Sequence, residues 1–463
     1  MENFDIAVIG AGPGGYPAAI RAAQLGASVA IVEKERLGGT CLNWGCIPTK
    51  TLLATAGTFA QITHAQAFGI TVTGASVDYA AMIGYKDKVV GQLRNGIQQL
   101  LAANGVKLFT GAASFKDRNT ISIGDSTAIS ASKVIIATGS TSAMPAFLPK
   151  HDRVVESRRF LELTHLPKTL LVLGGGFIGC ELACMAAMLG VKVTLVELLE
   201  DILLLVDADV RREVRTSMEK SLGIRVLTGK ALEAIAADEA GARGRRGDDV
   251  LEADLLLSAV GRKPVTEGLK LERAGLAANP AGFIETDDFC RTHVATLYAI
   301  GDVTGKTQLA HYATAQGIAA AENAVGPKPR AHPTLVPNVI FTSPEIGTAG
   351  LSEADAKLQN RAVKIGKFRF AGLGKALAVG ETAGFVKWIA DAATDQLLGA
   401  AAVGPHATEL IAEAAAAIRA ELTTRELART IHAHPTFSEA WLEAAHVLHG
   451  EAIHAAPKRA RPA

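Results

Sequence analysis

Two cysteines, Cys41 and Cys46, are the residues whose type and spacing most directly predict chemistry in this chain of 463 residues. They lie in the segment Gly38-Gly39-Thr40-Cys41-Leu42-Asn43-Trp44-Gly45-Cys46-Ile47-Pro48-Thr49-Lys50. Cysteines five positions apart near the start of a helix can approach one another, and the helix N-terminus lowers their pKa and favours the thiolate. The pair is therefore a candidate for disulfide chemistry, with two buried, inert cysteines as the alternative. A zinc site would need further Cys or His ligands at short spacing, and the neighbouring sequence has none.

A histidine and a glutamate near the C-terminal end form a second candidate. They belong to the segment His432-Ala433-His434-Pro435-Thr436-Phe437-Ser438-Glu439. A histidine five residues before a glutamate, in a turn followed by a helix, is a candidate general base held by a carboxylate. A structural or surface histidine is the alternative.

The residues before the cysteines predict a nucleotide-binding βαβ unit. Apolar residues at 4–9 predict a strand, a helical pattern runs to about Leu25, and a second strand over 28–32 ends at Glu33. Between strand and helix lies Gly10-Ala11-Gly12-Pro13-Gly14-Gly15. Its first glycine permits a tight turn, its second lets the backbone approach a pyrophosphate, and its last allows close helix–strand packing. The helix N-terminus binds phosphates, and Glu33 can accept hydrogen bonds from a ribose diol.

The same pattern occurs a second time. A strand over 170–173 is followed by Gly174-Gly175-Gly176-Phe177-Ile178-Gly179, a helix to about Leu189, and a strand over 192–196 that ends at Glu197. The distance from first glycine to acidic residue is 23 positions in both copies, from 10 to 33 and from 174 to 197. Two nucleotide sites in one chain predict two nucleotide cofactors.

The second copy also predicts which nicotinamide cofactor binds. A 2′-phosphate would be repelled by a carboxylate and would need arginines nearby. Glu197 is instead followed by Leu198-Leu199-Glu200-Asp201. The sequence therefore predicts NAD rather than NADP.

Composition excludes several function classes. The net charge of +1 gives no electrostatic reason to expect nucleic acid or an anionic membrane as a partner. No apolar run is long enough to span a bilayer, and no signal or transit segment is evident, so the expected compartment is the cytoplasm. Five cysteines are too few and too scattered for a disulfide scaffold. The basic cluster Arg243-Gly244-Arg245-Arg246 lies among acidic residues and predicts a solvated loop.

The expected fold class is α/β, with two Rossmann-like nucleotide-binding domains followed by an α+β domain. We predict a first nucleotide domain over 1–145, a second over 146–271, a return to the first over 272–334, and a C-terminal domain over 335–463. In the last, strands are expected over 362–370, 384–390 and 397–403, and helices over 407–420 and 437–448. Residues 455–463 are expected to form a frayed tail.

The spacing Gly-Gly-Thr-Cys-x4-Cys-x-Pro-x-Lys after the first fingerprint resembles the class I flavoprotein disulfide reductases. Further segments resemble the same family, namely 136–139, 259–264 and 296–302, the last as its second FAD motif. The resemblance implies a dimerisation role for the C-terminal domain and implies FAD and NAD as cofactors. The FAD site would comprise Gly10, Gly12, Gly14, Gly15, Glu33, Lys50, Thr138, Gly139, Gly301, Asp302 and Ala310, and the NAD site Gly174, Gly176, Gly179, Glu197 and Gly261.

The resemblance also implies roles for the catalytic candidates. Cys41 would be the thiol that meets the substrate, and Cys46 would face the flavin as the charge-transfer thiolate. Lys50 would lie near flavin N5, paired with Glu181, although the residue types alone favour an ordinary solvated pair. His434 would transfer the proton to and from the substrate thiol, with Glu439 orienting its imidazole. In the family this pair serves the cysteines of the other subunit, which implies an active homodimer.

Within the family, the chain resembles the NAD-linked members that oxidise dihydrolipoamide. The segments that carry this likeness are 42–50, 309–311, 375–378, 384–387 and 432–440. The last cysteine is Cys290, which argues against a mercuric reductase, and Glu197 argues against the NADPH-dependent glutathione and trypanothione reductases. Lipoyl domains and the E2 core of a 2-oxo acid dehydrogenase or related complex are the implied partners.

Two alternatives stay open. Phe177 is aromatic where many dehydrogenases of this type carry an aliphatic residue, which keeps an NADH-linked reductase of another small disulfide under consideration. The other alternative is a flavin-binding scaffold or a nucleotide-responsive interaction protein, against which the Cys-x4-Cys and His-Pro-Thr segments argue.

Overall fold

The computed structural model describes residues 1–456, so the tail predicted over 455–463 lies outside the described residues from position 457 onward. The strands are β1 (Glu2–Ile9), β2 (Val29–Glu33), β3 (Lys107–Thr110), β4 (Ala113–Phe115), β5 (Thr120–Ile123), β6 (Thr127–Ile136), β7 (Ser140–Ser142), β8 (Val154–Glu156), β9 (Thr169–Leu173), β10 (Lys192–Val196), β11 (Arg225–Leu227), β12 (Glu233–Asp238), β13 (Gly241–Arg246), β14 (Asp249–Ala253), β15 (Leu255–Ser258), β16 (Arg262–Pro264), β17 (Leu297–Ala299), β18 (Asn338–Ile340), β19 (Glu345–Gly350), β20 (Val363–Arg369), β21 (Phe385–Asp391) and β22 (Leu397–Gly404). The α-helices are α1 (Gly15–Gln24), α2 (Gly39–Trp44), α3 (Cys46–His64), α4 (Tyr79–Ala103), α5 (Ser157–Leu161), α6 (Phe177–Met188), α7 (Ala208–Lys220), α8 (Ala310–Val325), α9 (Glu353–Leu358), α10 (Gly374–Ala378), α11 (Ala407–Arg419), α12 (Thr424–Arg429) and α13 (Glu439–His449).

The chain folds into two compact units. Unit 1 comprises residues 1–148, 155–166 and 260–334, and unit 2 comprises 149–154, 167–259 and the chain from 335 onward. The four-segment domain division drawn from the sequence stays a prediction. Among residues 1–456, every helix is too short or too polar to cross a membrane.

The main sheet of unit 1 is built on parallel strands. Its path runs β3-β2-β1-β6-β5-β4, and β17 also pairs with β6. Strands β1, β2, β3, β6 and β17 are parallel, whereas β4 and β5 form an antiparallel extension. Alternate residues of β1 enter different cores, with Ile6 and Val8 in one and Ala7 and Ile9 in the other. Because both faces are covered, the strand reads as a continuous apolar run.

Unit 2 repeats this arrangement in its first part. Strands β11, β10, β9 and β15 lie side by side in that order and are parallel. In each unit the glycine-rich turn leaves the first strand at its carboxyl end. An acidic residue ends the second strand in unit 1 (Glu33) and directly follows it in unit 2 (Glu197). Crevices at the carboxyl ends of parallel strands are where such sheets bind ligands.

The second part of unit 2 is an antiparallel sheet in the order β18-β19-β22-β21-β20. Glycines allow two helices to lie directly on it. A Cβ on Gly347 of β19 would stand 2.4 Å from the carbonyl oxygen of Ala407 in α11. One on Gly366 of β20 would stand 2.2 Å from the carbonyl oxygen of Ala444 in α13. The position of α13, which carries Glu439, therefore depends on the absence of a side chain at 366.

A buried lysine joins α7 and α9 to the antiparallel sheet within unit 2. Lys387, in the middle of β21, is 0% exposed. Its Nζ lies 2.8 Å from Asp207 Oδ2, 2.9 Å from Asp209 Oδ1 and 2.5 Å from Glu353 Oε1. Asp207 precedes α7 and Asp209 lies in its first turn, and Glu353 is the first residue of α9. The ammonium occupies the space between the three carboxylates, so the acidic group is an ion-pair cluster.

The predicted solvated loop at 243–246 is wrong, because these residues belong to β13. This strand forms antiparallel pairs with β12 and β14. Ala242 and Gly244 are buried while Arg243 and Arg245 are exposed. The alternation of small and charged residues was therefore that of a half-buried strand, whose period is two.

Candidate active site

The two candidate cysteines form a disulfide, with their Cα atoms 4.7 Å apart. Cys41 lies in α2, and Cys46 is the first residue of α3. Gly45 separates the helices, and a Cβ there would stand 3.1 Å from the carbonyl oxygen of Thr40. The bend that brings the sulfurs together therefore has little room for a side chain. The pairing predicted from the spacing is present in the structure.

The other three cysteines are buried, Cys180 and Cys184 in unit 2 and Cys290 in unit 1. Burial raises the pKa of Cys184 and of Cys290 to about 12, and it also raises that of Cys180. Because the thiolate is the reactive form, these thiols are inert near neutral pH. Cys41 and Cys46 are therefore the cysteines that can carry out thiol chemistry.

The first glycine-rich turn is shaped by close backbone contacts. Gly10 has a φ of +100°, and a Cβ on Gly15 would stand 1.9 Å from the carbonyl oxygen of Gly10. A Cβ on Gly14 would stand 3.1 Å from the carbonyl oxygen of Ala313 in α8. Each distance is too short for a side chain without rearrangement.

This turn also meets the redox segment. A Cβ on Gly39, the first residue of α2, would stand only 2.7 Å from Gly12 Cα. The disulfide is therefore carried on backbone that packs against the predicted pyrophosphate loop.

Glu33 closes this loop from the end of β2. Its Oε2 accepts a hydrogen bond from the N–H of Ala11 at 2.8 Å, and its Oε1 accepts one from Glu35 at 2.8 Å. These bonds fix the carboxylate while leaving lone pairs for a ribose diol. The geometry fits the predicted adenosine side of FAD.

Asp302 lies in a polar cluster near the carboxyl ends of β6 and β17. The hydroxyl of Ser140 donates to Asp302 Oδ2 at 2.5 Å, and Arg262 Nε donates to Ser140 Oγ at 2.7 Å. Burial lowers the pKa of the Arg262 guanidinium.

The turn after β6 contains Thr138 and Gly139. The Thr138 hydroxyl donates a hydrogen bond to the carbonyl oxygen of Val265 at 2.7 Å. Gly139 has a φ of +70°, and the space where its side chain would project is open. This polar edge with an open glycine fits the ribitol part of FAD.

Gly301 and Ala310 complete the predicted FAD set. Gly301 begins a 3-10 helix that contains Asp302, and its N–H donates to Oε1 of the buried Gln316 at 2.8 Å. Ala310 is the first residue of the 16-residue helix α8, whose N-terminal N–H groups carry the positive end of the helix dipole. The structure thus places the predicted FAD residues at the carboxyl edge of the unit 1 sheet and at the starts of α1, α3 and α8.

The second fingerprint has the same geometry in unit 2. Gly174 has a φ of +110°, and a Cβ on Gly179 would stand 2.0 Å from its carbonyl oxygen. Glu197 accepts from Gly175 N–H at 2.6 Å and from Leu199 N–H at 2.8 Å, as Glu33 does in unit 1. The carboxylate is therefore fixed next to the fingerprint turn, where its negative charge disfavours a 2′-phosphate, which supports NAD.

Gly176, which precedes α6, faces open space beside this turn, because an added Cβ would have no atom within 4 Å apart from its near neighbours. Phe177, the first residue of α6, is 38% exposed. Both positions leave room for a dinucleotide at the N-terminus of α6. The predicted NAD residue Gly261 belongs to unit 1, where it has a φ of +123° and equally open space.

Lys50 and Glu181 lie in different units. Lys50 is half-buried in α3, whereas Glu181 is 4% exposed in α6. Glu181 Oε1 accepts a hydrogen bond from the N–H of Phe341 at 2.9 Å. The solvated-pair alternative therefore fails for Glu181, and its pairing with Lys50 stays a proposal.

His434 and Glu439 form the predicted pair within unit 2. His434 Nδ1 lies 2.9 Å from Glu439 Oε1, and Glu439 Oε2 accepts from the N–H of Thr436 at 2.8 Å. Burial raises the pKa of Glu439, but the hydrogen bonds from Thr436 and His434 outweigh it and lower the pKa overall. The ionised carboxylate holds the proton on Nδ1, which leaves Nε2 as the proton acceptor. The imidazole is 77% exposed, so a substrate can reach it.

His432, two residues earlier, has a different environment. Its side chain is 5% exposed, its Nε2 lies 2.7 Å from Glu413 Oε1, and its Nδ1 lies 3.0 Å from the carbonyl oxygen of Thr430. Both ring nitrogens face acceptors, an arrangement that favours the protonated ring. The hydrogen bond to Glu413 raises the pKa of His432 accordingly. Glu413 lies in α11, so this pair anchors the loop that carries His434.

Sequence reasoning missed Ser140, Arg262, Glu413 and Gln316 as site residues. Arg262 directly follows the predicted Gly261, so the signal for it was present. Ser140 and Glu413 had no local signal, because their partners lie 162 and 19 positions away in the chain.

Comparisons with known proteins agree with this geometry. The family profile described as pyridine nucleotide-disulphide oxidoreductase matches residues 4–317. The profile described as pyridine nucleotide-disulphide oxidoreductase, dimerisation domain, matches residues 336–445.

Curated relatives match over nearly the full chain. The dihydrolipoyl dehydrogenase of Chlamydia muridarum is 43% identical over 465 residues, which cover 99% of each chain. That of Halobacterium salinarum is 43% identical, with 97% of each chain covered. That of Thermus scotoductus is 42% identical, with 98% of this chain and 99% of the relative covered.

Solved structures show the same architecture. LpdA from Mycobacterium tuberculosis matches with a TM-score of 0.90 and 26% identity, covering 96% of this chain and 99% of that one. The HOCl-induced flavoprotein disulfide reductase RclA from Escherichia coli matches with a TM-score of 0.86 and 29% identity, covering 94% and 98%. These likenesses confirm the predicted fold class, α/β with two Rossmann-like nucleotide-binding domains and a C-terminal α+β dimerisation domain.

Proposed function

Because the chain belongs to the pyridine nucleotide-disulphide oxidoreductase family, we propose that it oxidises dihydrolipoyl groups to lipoyl groups and reduces NAD+ to NADH. The observation that carries this proposal is full-length identity of 41–43% to relatives named dihydrolipoyl dehydrogenase, combined with the Cys41–Cys46 disulfide. The chain uses FAD and NAD. When bound, these cofactors accept the electron pair in turn.

The reaction at sulfur follows from thiol–disulfide exchange. A dihydrolipoyl thiolate attacks Cys41 Sγ, the Cys41–Cys46 bond breaks, and Cys46 leaves as a thiolate. The second lipoyl thiol then attacks the lipoyl sulfur of the mixed disulfide and expels Cys41. This closes the lipoyl disulfide. Two thiol protons are released, and His434 Nε2 accepts the first while Glu439 stabilises the resulting imidazolium.

The remaining site residues would bind the cofactors and orient them. Glu33 and Glu197 would each hold a ribose diol, and the N-terminal N–H groups of α1 and α6 would bind the pyrophosphates. Asp302 would hold the ribitol chain, positioned by Ser140. Lys50, supported by Glu181, would place positive charge near flavin N5.

The dimerisation profile supports a homodimer. We propose that His434 of one subunit serves the Cys41–Cys46 pair of the other. We further propose that the lipoyl group arrives on lipoyl domains at the E2 core of a 2-oxo acid dehydrogenase or related complex. The cytoplasmic location stays a prediction from the sequence.

The test is NADH formation by the purified holoprotein with dihydrolipoamide and NAD+, followed at 340 nm. Cys46→Ser should abolish turnover while flavin stays bound, with Cys184→Ser as the control for cysteine removal. Full turnover by Cys46→Ser would contradict the mechanism.

A second candidate is an NADH-linked reductase of another small disulfide. The exposed Phe177 and the likeness to RclA favour it. Glutathione disulfide, offered with NADH, tests this candidate, and mercuric ion is the comparison acceptor that is not a disulfide. NADH oxidation with glutathione disulfide, without dihydrolipoamide turnover, would replace the first proposal.

A further inference from the structure

Trp44 is the aromatic side chain between the two cysteines, and it joins the redox segment to another element of unit 1. It is the last residue of α2 and is only 6% exposed. Its indole Nε1 donates to Glu162 Oε1 at 3.0 Å, at the C-terminal end of α5. The end of α2 is thus bound to a segment more than a hundred positions away.

An arginine covers the face of the indole. The guanidinium carbon of Arg158 lies 3.7 Å from the centre of the Trp44 ring, and that of Arg36 lies 5.5 Å away. Cation–π contact at such distances is attractive, and strongest for tryptophan. We call Trp44, Arg36, Arg158, Glu35 and Glu162 the Trp44 cluster.

The arginine is itself held in place. Arg158 donates to Glu35 Oε1 at 2.6 Å and to Oε2 at 3.3 Å, a bidentate pair. The hydrogen bond from Arg158 lowers the pKa of the Glu35 carboxyl, so the pair stays charged at neutral pH. Arg158 Nε also lies 3.8 Å from the Glu162 oxygen that receives the indole N–H. The Trp44 ring is therefore held by a hydrogen bond in its plane and by the Arg158 guanidinium over its face.

This fixation matters when the disulfide opens. Reduction breaks the Cys41–Cys46 bond, and the two sulfurs take up two electrons and two protons from a dithiol that becomes a disulfide. Gly45, a flexible residue, is then the only residue between the end of α2 and Cys46. Whether the sulfurs meet again depends on how firmly α2 and α3 are held.

We propose that Trp44 is a positioning residue that keeps Cys41 within bonding range of Cys46 in the dithiol state. It acts through the Trp44 cluster and touches no reacting atom. The inference rests on the proposed function only in taking the natural reductant to be a dihydrolipoyl group.

The test measures the thiol–disulfide equilibrium of the pair in the holoprotein. The protein is equilibrated with reduced and oxidised dithiothreitol at fixed pH, and Cys41 and Cys46 are then alkylated and quantified by mass spectrometry. Trp44→Val should lower the equilibrium constant for disulfide formation by about tenfold, which corresponds to about 30 mV in reduction potential. Trp44→Phe keeps a ring under Arg158 and should stay within about threefold of wild type.

A second variant keeps the test decisive if Trp44→Val does not fold. Arg158→Gln removes the stacked cation and should lower the constant by about threefold. Arg330→Gln is its matched control, because Arg330 pairs with Glu322 at 2.6 Å in the same unit. Bound-flavin absorbance and the unfolding temperature report folding.

The proposal is overturned if folded Trp44→Val, or Arg158→Gln where Trp44→Val does not fold, stays within twofold of wild type. These measurements use dithiothreitol, so they are independent of the physiological substrate. If wild type fails to oxidise dihydrolipoamide, the proposed function falls while this equilibrium still tests Trp44.

Discussion

Two histidines only two positions apart in the loop before α13 have opposite tasks. The His432 side chain is buried and faces two acceptors, which favour its protonated form and hold the loop on Glu413. His434 has one carboxylate partner and an exposed second nitrogen, so it can gain and lose a proton. The sequence showed both as histidines of one motif, and only their surroundings distinguish an anchor from an acid–base group.

His432 should give the protein a pH-dependent increment of stability. Its hydrogen bond to Glu413 raises its pKa above the ordinary 6.5, so the increment is complete below the unfolded pKa and is lost as pH rises through the folded pKa. His432→Gln should therefore cost roughly 1–2 kcal/mol in unfolding free energy at pH 5.5 and less at pH 9. Denaturant unfolding at both pH values measures this. His165→Gln, at an exposed position, is the control, and a cost that grows with pH would contradict the assignment.

Glu197 should control the choice between NAD+ and NADP+. Glu197→Ala removes the proposed ribose ligand and the acceptor for two backbone N–H groups, and it also removes the negative charge that would repel a 2′-phosphate. We expect kcat/KM for NAD+ to fall by roughly tenfold and the ratio of NAD+ to NADP+ activity to narrow. Steady-state kinetics with both nucleotides measure the change. Glu200→Ala, an exposed carboxylate nearby in sequence, should leave the ratio unchanged, and an unchanged ratio for Glu197→Ala would refute the assignment.

At the scale of elements, the βαβ units were the most predictable part of the fold. Each strand, turn and helix of the fingerprints carries its own sequence signal, and the predicted bounds differ from β1, α1, β9 and α6 by only a few residues. The disulfide bend was predictable for the same reason, since Cys41 and Cys46 are close in sequence. The hairpin strand β13 was not recognised, because its buried positions, Ala242 and Gly244, are too small to give a clear apolar signal. The elements β18, β19, α9 and α12 were missed because each has only three to six residues, too few to show a strand or helix period.

The ion-pair cluster of Lys387 should dominate the stability of unit 2. Lys387→Met leaves Asp207, Asp209 and Glu353 close together with their central cation removed. We expect a loss of about 3–5 kcal/mol in unfolding free energy. Asp209 keeps a second partner, Lys367, whose Nζ lies 2.9 Å from its Oδ2. The deficit should narrow as pH falls, because protonation of the carboxylates that have lost Lys387 relieves their repulsion.

Denaturant unfolding between pH 5 and pH 8 tests this expectation. Lys364→Met is the matched control, because Lys364 is exposed on the neighbouring strand β20 and should change stability by less than about 0.5 kcal/mol. Equal effects of the two substitutions would show that the cluster contributes nothing beyond surface charge.

For the whole molecule, a shared active site can be tested by mixing inactive subunits. If His434 of one subunit serves the disulfide of the other, a heterodimer of Cys46→Ser and His434→Gln subunits has one intact site and one doubly defective site. The purified heterodimer should therefore show about half of wild-type activity, since one of its two sites is complete. Each mutant homodimer is the control. A heterodimer as inactive as both homodimers would place the histidine and the cysteines of each site in the same subunit.

More of the overall architecture than of the active site could be predicted from the sequence. Two fingerprints, each ending in a carboxylate, predicted two nucleotide folds from local patterns alone. The connection of Glu181 to the N–H of Phe341, by contrast, spans 160 positions and follows only from the completed fold. Local spacing therefore specified the cofactors, whereas distant packing determines how the catalytic groups are supported.

The bare backbone at Gly366 has a consequence for inherited variation in this chain. A methyl group there would press on the carbonyl of Ala444 and move α13, and the movement would reach the Glu439 carboxylate that orients His434. One added carbon on the strand beneath α13 would then mimic a defect in proton transfer. Harmful alleles should accordingly arise at positions that meet neither nucleotide nor thiol.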